Sequence, residues 1–212
     1  GMAAAFTILA LIAILVGSII EIAPTLSINK YVKTENKVEP FTPLELAGRD
    51  IYVKEGCYTC HSQMIRTIQS DVLRYGAAST IEESMYDRPF QWGSKRTGPD
   101  LARLGKKYPD LWHYMHMEDP RAVIKESIMP AYPWLITSKI DFDSLQKKVS
   151  LFNKLGVPYS DEDLSDANNR AKEQAKKIAD VLKSQGVKED VSDKKITALI
   201  AYLQALGQKG GE

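Results

Sequence analysis

Five consecutive residues, Cys57-Tyr58-Thr59-Cys60-His61, carry the strongest chemical signal in the chain. Two thiols three positions apart with an imidazole directly after them form the C-x-x-C-H pattern at which c-type haem is attached. That spacing lets the thiols add to two vinyl groups while the imidazole reaches the iron from one face. Three other readings fit part of the pattern. A membrane-tethered thiol oxidoreductase of the thioredoxin type places its dithiol after a strand, at a helix start in a βαβ pattern. Here the cysteines follow a predicted helix and are trailed by histidine. A zinc site needs four ligands, which only His113 and His116 could complete. Two inert buried cysteines are the third reading. One covalently held haem accounts for more of the sequence than any of these.

A low-spin electron carrier fills both axial positions of its iron, and methionine opposite histidine raises the reduction potential above that of a bis-histidine site. Met129 lies in Ser127-Ile128-Met129-Pro130-Ala131-Tyr132-Pro133, where prolines stiffen the loop that presents its thioether. It is favoured as partner to His61. His113 or His116 would give a bis-histidine site instead, although each is by default a hydrogen-bonded surface or interface residue. Met115 and Met117, in a helical stretch, and Met64 and Met85 read as packing residues. Arg96-Thr97-Gly98-Pro99-Asp100-Leu101 supplies a further part. A ligating histidine donates its other ring N–H to a fixed acceptor, and the Pro99 carbonyl sits in a rigid loop suited to that role. Arg66 and Arg96 are candidates to pair with the haem propionates, with surface salt bridges as the plainer reading.

The elements that position these residues begin with an anchor. Met2 to Ile20 contains no charge and no proline, and its 19 residues as a helix span roughly 28 Å, about the hydrocarbon thickness of a bilayer. A buried core helix would show a polar face, and this run offers only Thr7 and Ser18. A cleaved signal peptide would show a basic n-region and small residues at its cleavage site, and the best candidate, Ala23, is followed by Pro24. The Gly1-Met2 opening does not resemble a native start. Residues 1–24 are therefore read as a transmembrane anchor, 25–42 as a polar linker and 43–212 as the domain. Lys30, Lys33 and Lys37 follow the span, and a positive-inside count would put them in the cytoplasm. Thr42 as N-cap, Pro43 at the first helical position and Glu45 as the reciprocal cap predict a helix over 43–54. A last helix is predicted over 193–206, capped by Ser192 and stopped by Gly207. Ser160 and Asp163 open a charged helix over 160–185 with sparse apolar positions, read as a solvated helix on the domain. No strand-like alternation and no internal repeat occurs, so the fold class is all-α.

Composition narrows the partners. The 212 residues hold 28 basic and 27 acidic side chains, a formal charge of +1, which leaves no basic surplus for a phosphate backbone and argues against nucleic acid. A mean hydropathy of −0.26 excludes a polytopic membrane protein but not a single span in the lipid bilayer. Two cysteines are too few for a disulfide framework and the right number for one haem.

Several stretches together resemble a known family. Cys57 to Arg66 (CYTCHSQMIR), Arg74-Tyr75-Gly76, Pro89 to Arg103 (PFQWGSKRTGPDLAR), Trp112-His113, Asp119-Pro120-Arg121 and Ser127 to Leu135 (SIMPAYPWL) resemble the mono-haem cytochrome c subunit of cbb3-type (C-family haem–copper) cytochrome c oxidases. The match is dense over 43–135 and looser at both ends. The resemblance implies a class I cytochrome c domain whose first and last helices cross at a small residue. Here that is Gly48 against Tyr202, with Leu44, Ile51, Leu199 and Leu203 around them. It implies Cys57 and Cys60 as thioether sites, His61 and Met129 as iron ligands and Pro99 as the carbonyl partner of His61. It implies electron transfer from a di-haem cytochrome subunit or a soluble cytochrome c donor to haem b of the catalytic haem–copper subunit. Oxygen chemistry belongs to that subunit, so this chain has no bond-making catalytic site. A free-standing anchored cytochrome c serving another reductase is the alternative. The family places the domain on the periplasmic side of a bacterial inner membrane, against the lysine count. Residues 140–190 are longer and more charged than the family core needs, and read as a largely helical insertion.

Overall fold

Thr42 opens the domain as its sequence predicts. Its hydroxyl accepts from the Glu45 N–H at 3.3 Å while its own N–H donates to the Glu45 carboxylate at 2.8 Å, and Pro43 occupies the first helical position. The computed structural model describes residues 1–31 and 38–209, and every regular element among them is a helix. In order these are α1 (Met2–Tyr31), α2 (Pro43–Lys54), α3 (Gln69–Tyr75), α4 (Asp110–Glu118), α5 (Pro120–Val123), α6 (Trp134–Thr137), α7 (Leu145–Lys154), α8 (Asp161–Ser184) and α9 (Lys195–Ala205). Short 3-10 turns lie at Cys57–Thr59 and Glu82–Ser84.

In α1, Met2–Pro24 is long and apolar enough to cross a membrane, and its most apolar window has no residue buried against protein. The Thr7 hydroxyl turns back to the Ala3 carbonyl at 3.0 Å, so this polar group needs no outside partner. The helix continues through Pro24 to Tyr31, so the first residues read as linker are helical. Lys33 and Lys37, two of the lysines in the charge count, lie outside the described residues.

The core is built on the crossing of α2 and α9. A Cβ on Gly48 would lie 2.6 Å from the Ala198 carbonyl carbon and 2.7 Å from Tyr202 Cβ, closer still to the Ala198 oxygen, so only glycine permits this approach. Leu44, Ile51, Leu199 and Leu203 are buried around it. The Tyr202 ring packs between Phe41 and Tyr52, with centroids 5.3 and 5.4 Å away, and its hydroxyl donates to Gln63 Oε1 at 3.1 Å.

The last helix starts two residues later than predicted, and Ser192 does not cap it. Lys194 is held extended by an antiparallel bridge to Lys139, the Lys195 N–H donates to the Ser138 carbonyl, and Thr197 bonds back to the Val191 carbonyl at 2.6 Å. These contacts across the chain commit the backbone that a serine cap would need.

The charged late segment forms α7 and α8. Ser160 caps α8 by accepting from the Asp163 N–H. Ala167, Ala171, Ala175, Ala179 and Leu182 are buried along one stripe, and all but Ala167 join the core that α2 and α9 share. Small side chains at four-residue spacing let this helix lie close on the domain while its charges face water. The backbone leaves helical geometry at Asp166, where the Gln146 side chain of α7 takes up the Ala167 N–H at 2.9 Å and donates to the Leu164 carbonyl. The helix read as lying solvated on the domain does lie on it, through this one packed face.

Candidate haem-binding site

The end of α2 delivers the cysteines. Gly56, at φ +74°, turns the chain out of the helix into the 3-10 turn Cys57–Thr59. Cys60 and His61 then donate their N–H groups to the Cys57 carbonyl at 3.1 and 3.0 Å, while the Tyr52 hydroxyl reaches the His61 carbonyl at 3.2 Å. This tight turn brings both thiols and the imidazole to one cavity of about 390 Å³.

A second segment is zipped onto the first. Gly98 N–H donates to the Cys60 carbonyl at 3.0 Å and Leu101 N–H to the Ser62 carbonyl at 2.8 Å. Asp100 accepts from the Ser62 hydroxyl at 2.5 Å and from the Met64 N–H at 2.9 Å. Between these clamps the Pro99 carbonyl lies 2.9 Å from His61 Nδ1. We assign Nδ1 as the protonated nitrogen, which leaves Nε2 as a lone-pair donor. Burial lowers the His61 pKa, with the Pro99 bond opposing, so the ring is neutral in neutral solution. Gly98 forms the floor beneath it: a Cβ there would lie 2.7 Å from Nδ1 and 2.8 Å from Nε2.

Met129 borders the same cavity from the Ser127–Pro133 loop. Its N–H donates to the Ser127 hydroxyl at 3.2 Å, and Tyr132 N–H donates to the Met117 carbonyl at 2.7 Å, tying the loop to α4. Leu199 and Leu203 of α9, with Leu101 and Leu104, supply apolar wall. Cavities of this kind, a few hundred Å³ and mostly apolar with a few convergent polar groups, are typical cofactor sites.

The thiols do not resemble a redox dithiol. Burial, with the Glu55 carboxylate adding to it, pushes the Cys57 thiol up to about 12, whereas an activated thiol is held low. Zinc is disfavoured as well, since among the described residues no three His, Cys, Asp or Glu side chains converge to hold a metal ion.

Arg66 and Arg96 are not brought to the cavity. Both guanidiniums converge on Asp71, at 2.9 and 2.7 Å. Arg96 also donates to the Ser62 hydroxyl at 2.8 Å and the Met64 carbonyl at 2.9 Å. Arg96, and then Arg66, hold the Asp71 carboxyl well below the usual carboxylate range. The arginines brace the segment behind His61.

His113 and His116, expected at a surface, instead line the cavity. His113 is 1% exposed, and its Nε2, like Nδ1 of His116, is buried with no hydrogen-bond partner. Burial pushes both pKa values down to about 4. Trp112 stacks on His116 at 4.5 Å and on Tyr108 at 4.1 Å, so residues 108, 112 and 116 form a ring ladder. Their four-residue spacing is the sequence signal for it; Gly98 has none beyond its place before Pro99.

An oriented imidazole and a tethered thioether on one apolar cavity beside a C-x-x-C turn belong to the c-type cytochromes. The family model described as cytochrome c oxidase, mono-heme subunit/FixO matches residues 1–209, and the chain belongs to that family. No curated protein matches the chain. The family makes the chain a membrane-anchored subunit that assembles with the catalytic subunit of a bacterial cytochrome c oxidase, and it implies a haem. The residues present fit that group: two thiols, an imidazole oriented by the Pro99 carbonyl and the Met129 thioether border one mostly apolar cavity.

Proposed function

We propose that this subunit relays single electrons, from a di-haem cytochrome subunit or a soluble cytochrome c, to haem b of the catalytic subunit, on the periplasmic side of the membrane. The observation that carries the reading is the bond between His61 Nδ1 and the Pro99 carbonyl on a cavity shared with Cys57, Cys60 and Met129. When bound, the haem supplies a one-electron iron couple and needs no proton transfer from the protein.

The chain's own residues define what it does. Cys57 and Cys60 would hold the group through thioether bonds. His61 Nε2 and the Met129 thioether would hold its iron, and the Pro99 carbonyl keeps the imidazole in one tautomer and one orientation. The apolar walls from α9 exclude water and disfavour the more highly charged oxidised state, which raises the potential. Arg66, Arg96 and Asp71 keep the His61 segment in register. Ile124 and Ile128 line the cavity and are still 46% and 76% exposed, so its rim presents an apolar edge for an electron partner.

Rapid mixing of the purified oxidase complex with reduced donor cytochrome tests the route. The c-haem of this subunit should be reduced before the b haem, and replacing Met129, which lowers its potential, should slow its reduction by the donor rather than the onward step. Reduction of the b haem first would sink the proposal. So would purification of this chain free of catalytic subunit, which would favour a free-standing carrier.

A further inference from the structure

The arginines behind His61 enclose a second cavity, of about 350 Å³, lined by Arg66, Arg74 and Arg96 together with Asp71, Ser70 and Thr97. Three guanidiniums against one carboxylate leave two positive charges in it. The cluster is held in place from within. Arg66 and Arg96 converge on Asp71, and Arg74 and Arg96 lie over the Tyr75 ring, 5.2 and 5.1 Å from its centroid. Two guanidiniums keep capacity to spare. Arg66, half exposed, gives Nε and one Nη to Asp71 and keeps the other Nη. Arg74 is exposed and has no carboxylate partner among the described residues.

Two features indicate the ligand. Of the 28 basic residues 8 are arginine, and three of these line the pocket while none of the 20 lysines does. Diffuse attraction to a lipid surface is served equally by lysine, whereas the planar fork of arginine suits a fixed carboxylate held bidentately. The same helix, α3, also leaves Val72 and Leu73 exposed, Leu73 at 79%. A free ion has no use for these side chains, and aliphatic groups beside a pre-organised arginine cluster suit a protein surface.

We propose that the pocket of Arg66, Arg74 and Arg96 receives an acidic side chain of the catalytic subunit, with Val72 and Leu73 packing beside it. Asp71 and Tyr75 already hold the guanidiniums, which lowers the cost of ordering them on binding. Thr97, Gly98 and Pro99 line this pocket and the haem cavity alike, so the contact brings the catalytic subunit to the wall behind His61. The apolar rim at Ile124 and Ile128 then stays open to the electron donor. That division rests on the electron-relay reading, whereas the contact itself rests only on membership of the oxidase.

Cross-linking in the purified complex tests the contact. With Arg74→Lys in this subunit, a zero-length carbodiimide should couple position 74 to an aspartate or glutamate of the catalytic subunit, identified by peptide mass spectrometry. No coupling, coupling to another subunit, or coupling confined to this chain would overturn the proposal. Arg74→Gln alters an exposed side chain without an ion pair, so the fold should stand. It should increase salt-induced loss of this subunit from the solubilised complex about tenfold, the worth of one hydrogen bond between charged groups. Arg170→Gln on α8, an arginine paired with Asp163, should leave that loss unchanged. Equal loss from both variants, or no loss from Arg74→Gln, would also overturn the contact. Loss seen only after delipidation and reversed by anionic phospholipid vesicles would give the pocket to a lipid headgroup instead. A wild-type subunit without covalent haem overturns the electron-relay reading and leaves the contact standing, whereas a normal haem with no cross-link overturns the contact alone.

Discussion

Replacing Gly98 by alanine isolates the orientation of His61 from the rest of the fold. The new methyl group would stand 2.7 Å from Nδ1 and 2.8 Å from Nε2, against a normal separation of about 3.5 Å. The ring carbon Cε1 would lie closer still, so the imidazole must withdraw by more than about 1 Å. Withdrawal carries the ring away from the segment that holds both Gly98 and Pro99, which stretches the 2.9 Å bond to the Pro99 carbonyl past the range of an N–H···O bond. Losing such a supporting partner weakens metal ligation by roughly 10–100-fold, about 1.4–2.8 kcal/mol. The α2–α9 crossing is elsewhere, so far-ultraviolet circular dichroism should be unchanged. Optical and paramagnetic resonance spectra should show a high-spin fraction absent from the wild type. Gly93→Ala is the matched control. Its nearest neighbours are 3.6 Å away, and only its φ of +60° disfavours a side chain, costing about 1–2 kcal/mol of stability and nothing at the iron. A Gly98→Ala protein with wild-type spin state and potential would refute the argument that this glycine seats the histidine.

Other consequences separate the roles of individual residues. Met129→Ala should leave the haem attached but lower the potential and abolish the sulfur-to-iron band, as redox titration and optical spectra will show. Gly48→Ala forces α2 and α9 apart at a backbone contact and should destabilise the domain by about 1–3 kcal/mol or more in denaturant unfolding. Asp71 has a depressed folded pKa, so its stabilisation is complete above the ordinary carboxylate pKa and disappears only as pH falls through the lower folded value. Unfolding curves of Asp71→Asn should thus lie below wild type by a constant margin across neutral pH and converge with it in strong acid.

The parts legible in the sequence were those written in local chemistry. Thr42-Pro43 with Glu45 specifies a helix start whichever way the chain later packs, and the structure has that capping box at that place. The same holds for Ser160 at α8. The approach of Gly48 to Tyr202 followed from resemblance, because no local pattern says which helices cross. Ser192 misled because a serine before an apolar run looks like a cap, while the contacts of Thr197 with Val191 and of Lys194 with Lys139 come from tertiary packing. Arg66 and Arg96 read as propionate partners or as plain salt bridges, and no periodicity in the sequence points to Asp71 as the carboxylate that pairs with both. The inward face of α4 was equally hidden. His113 and His116 read as polar surface until the ring stack of Tyr108, Trp112 and His116 turns that face toward the cavity.

The central claim is that Cys57 and Cys60 hold one haem whose iron lies between His61 and Met129. Intact-mass spectrometry of the denatured subunit from its native membrane tests it most directly. The expected result is a polypeptide heavier by one haem, with the increment surviving acid and denaturant and lost when both cysteines become serine. A denatured chain at its bare polypeptide mass, with both thiols free to alkylate, would contradict it.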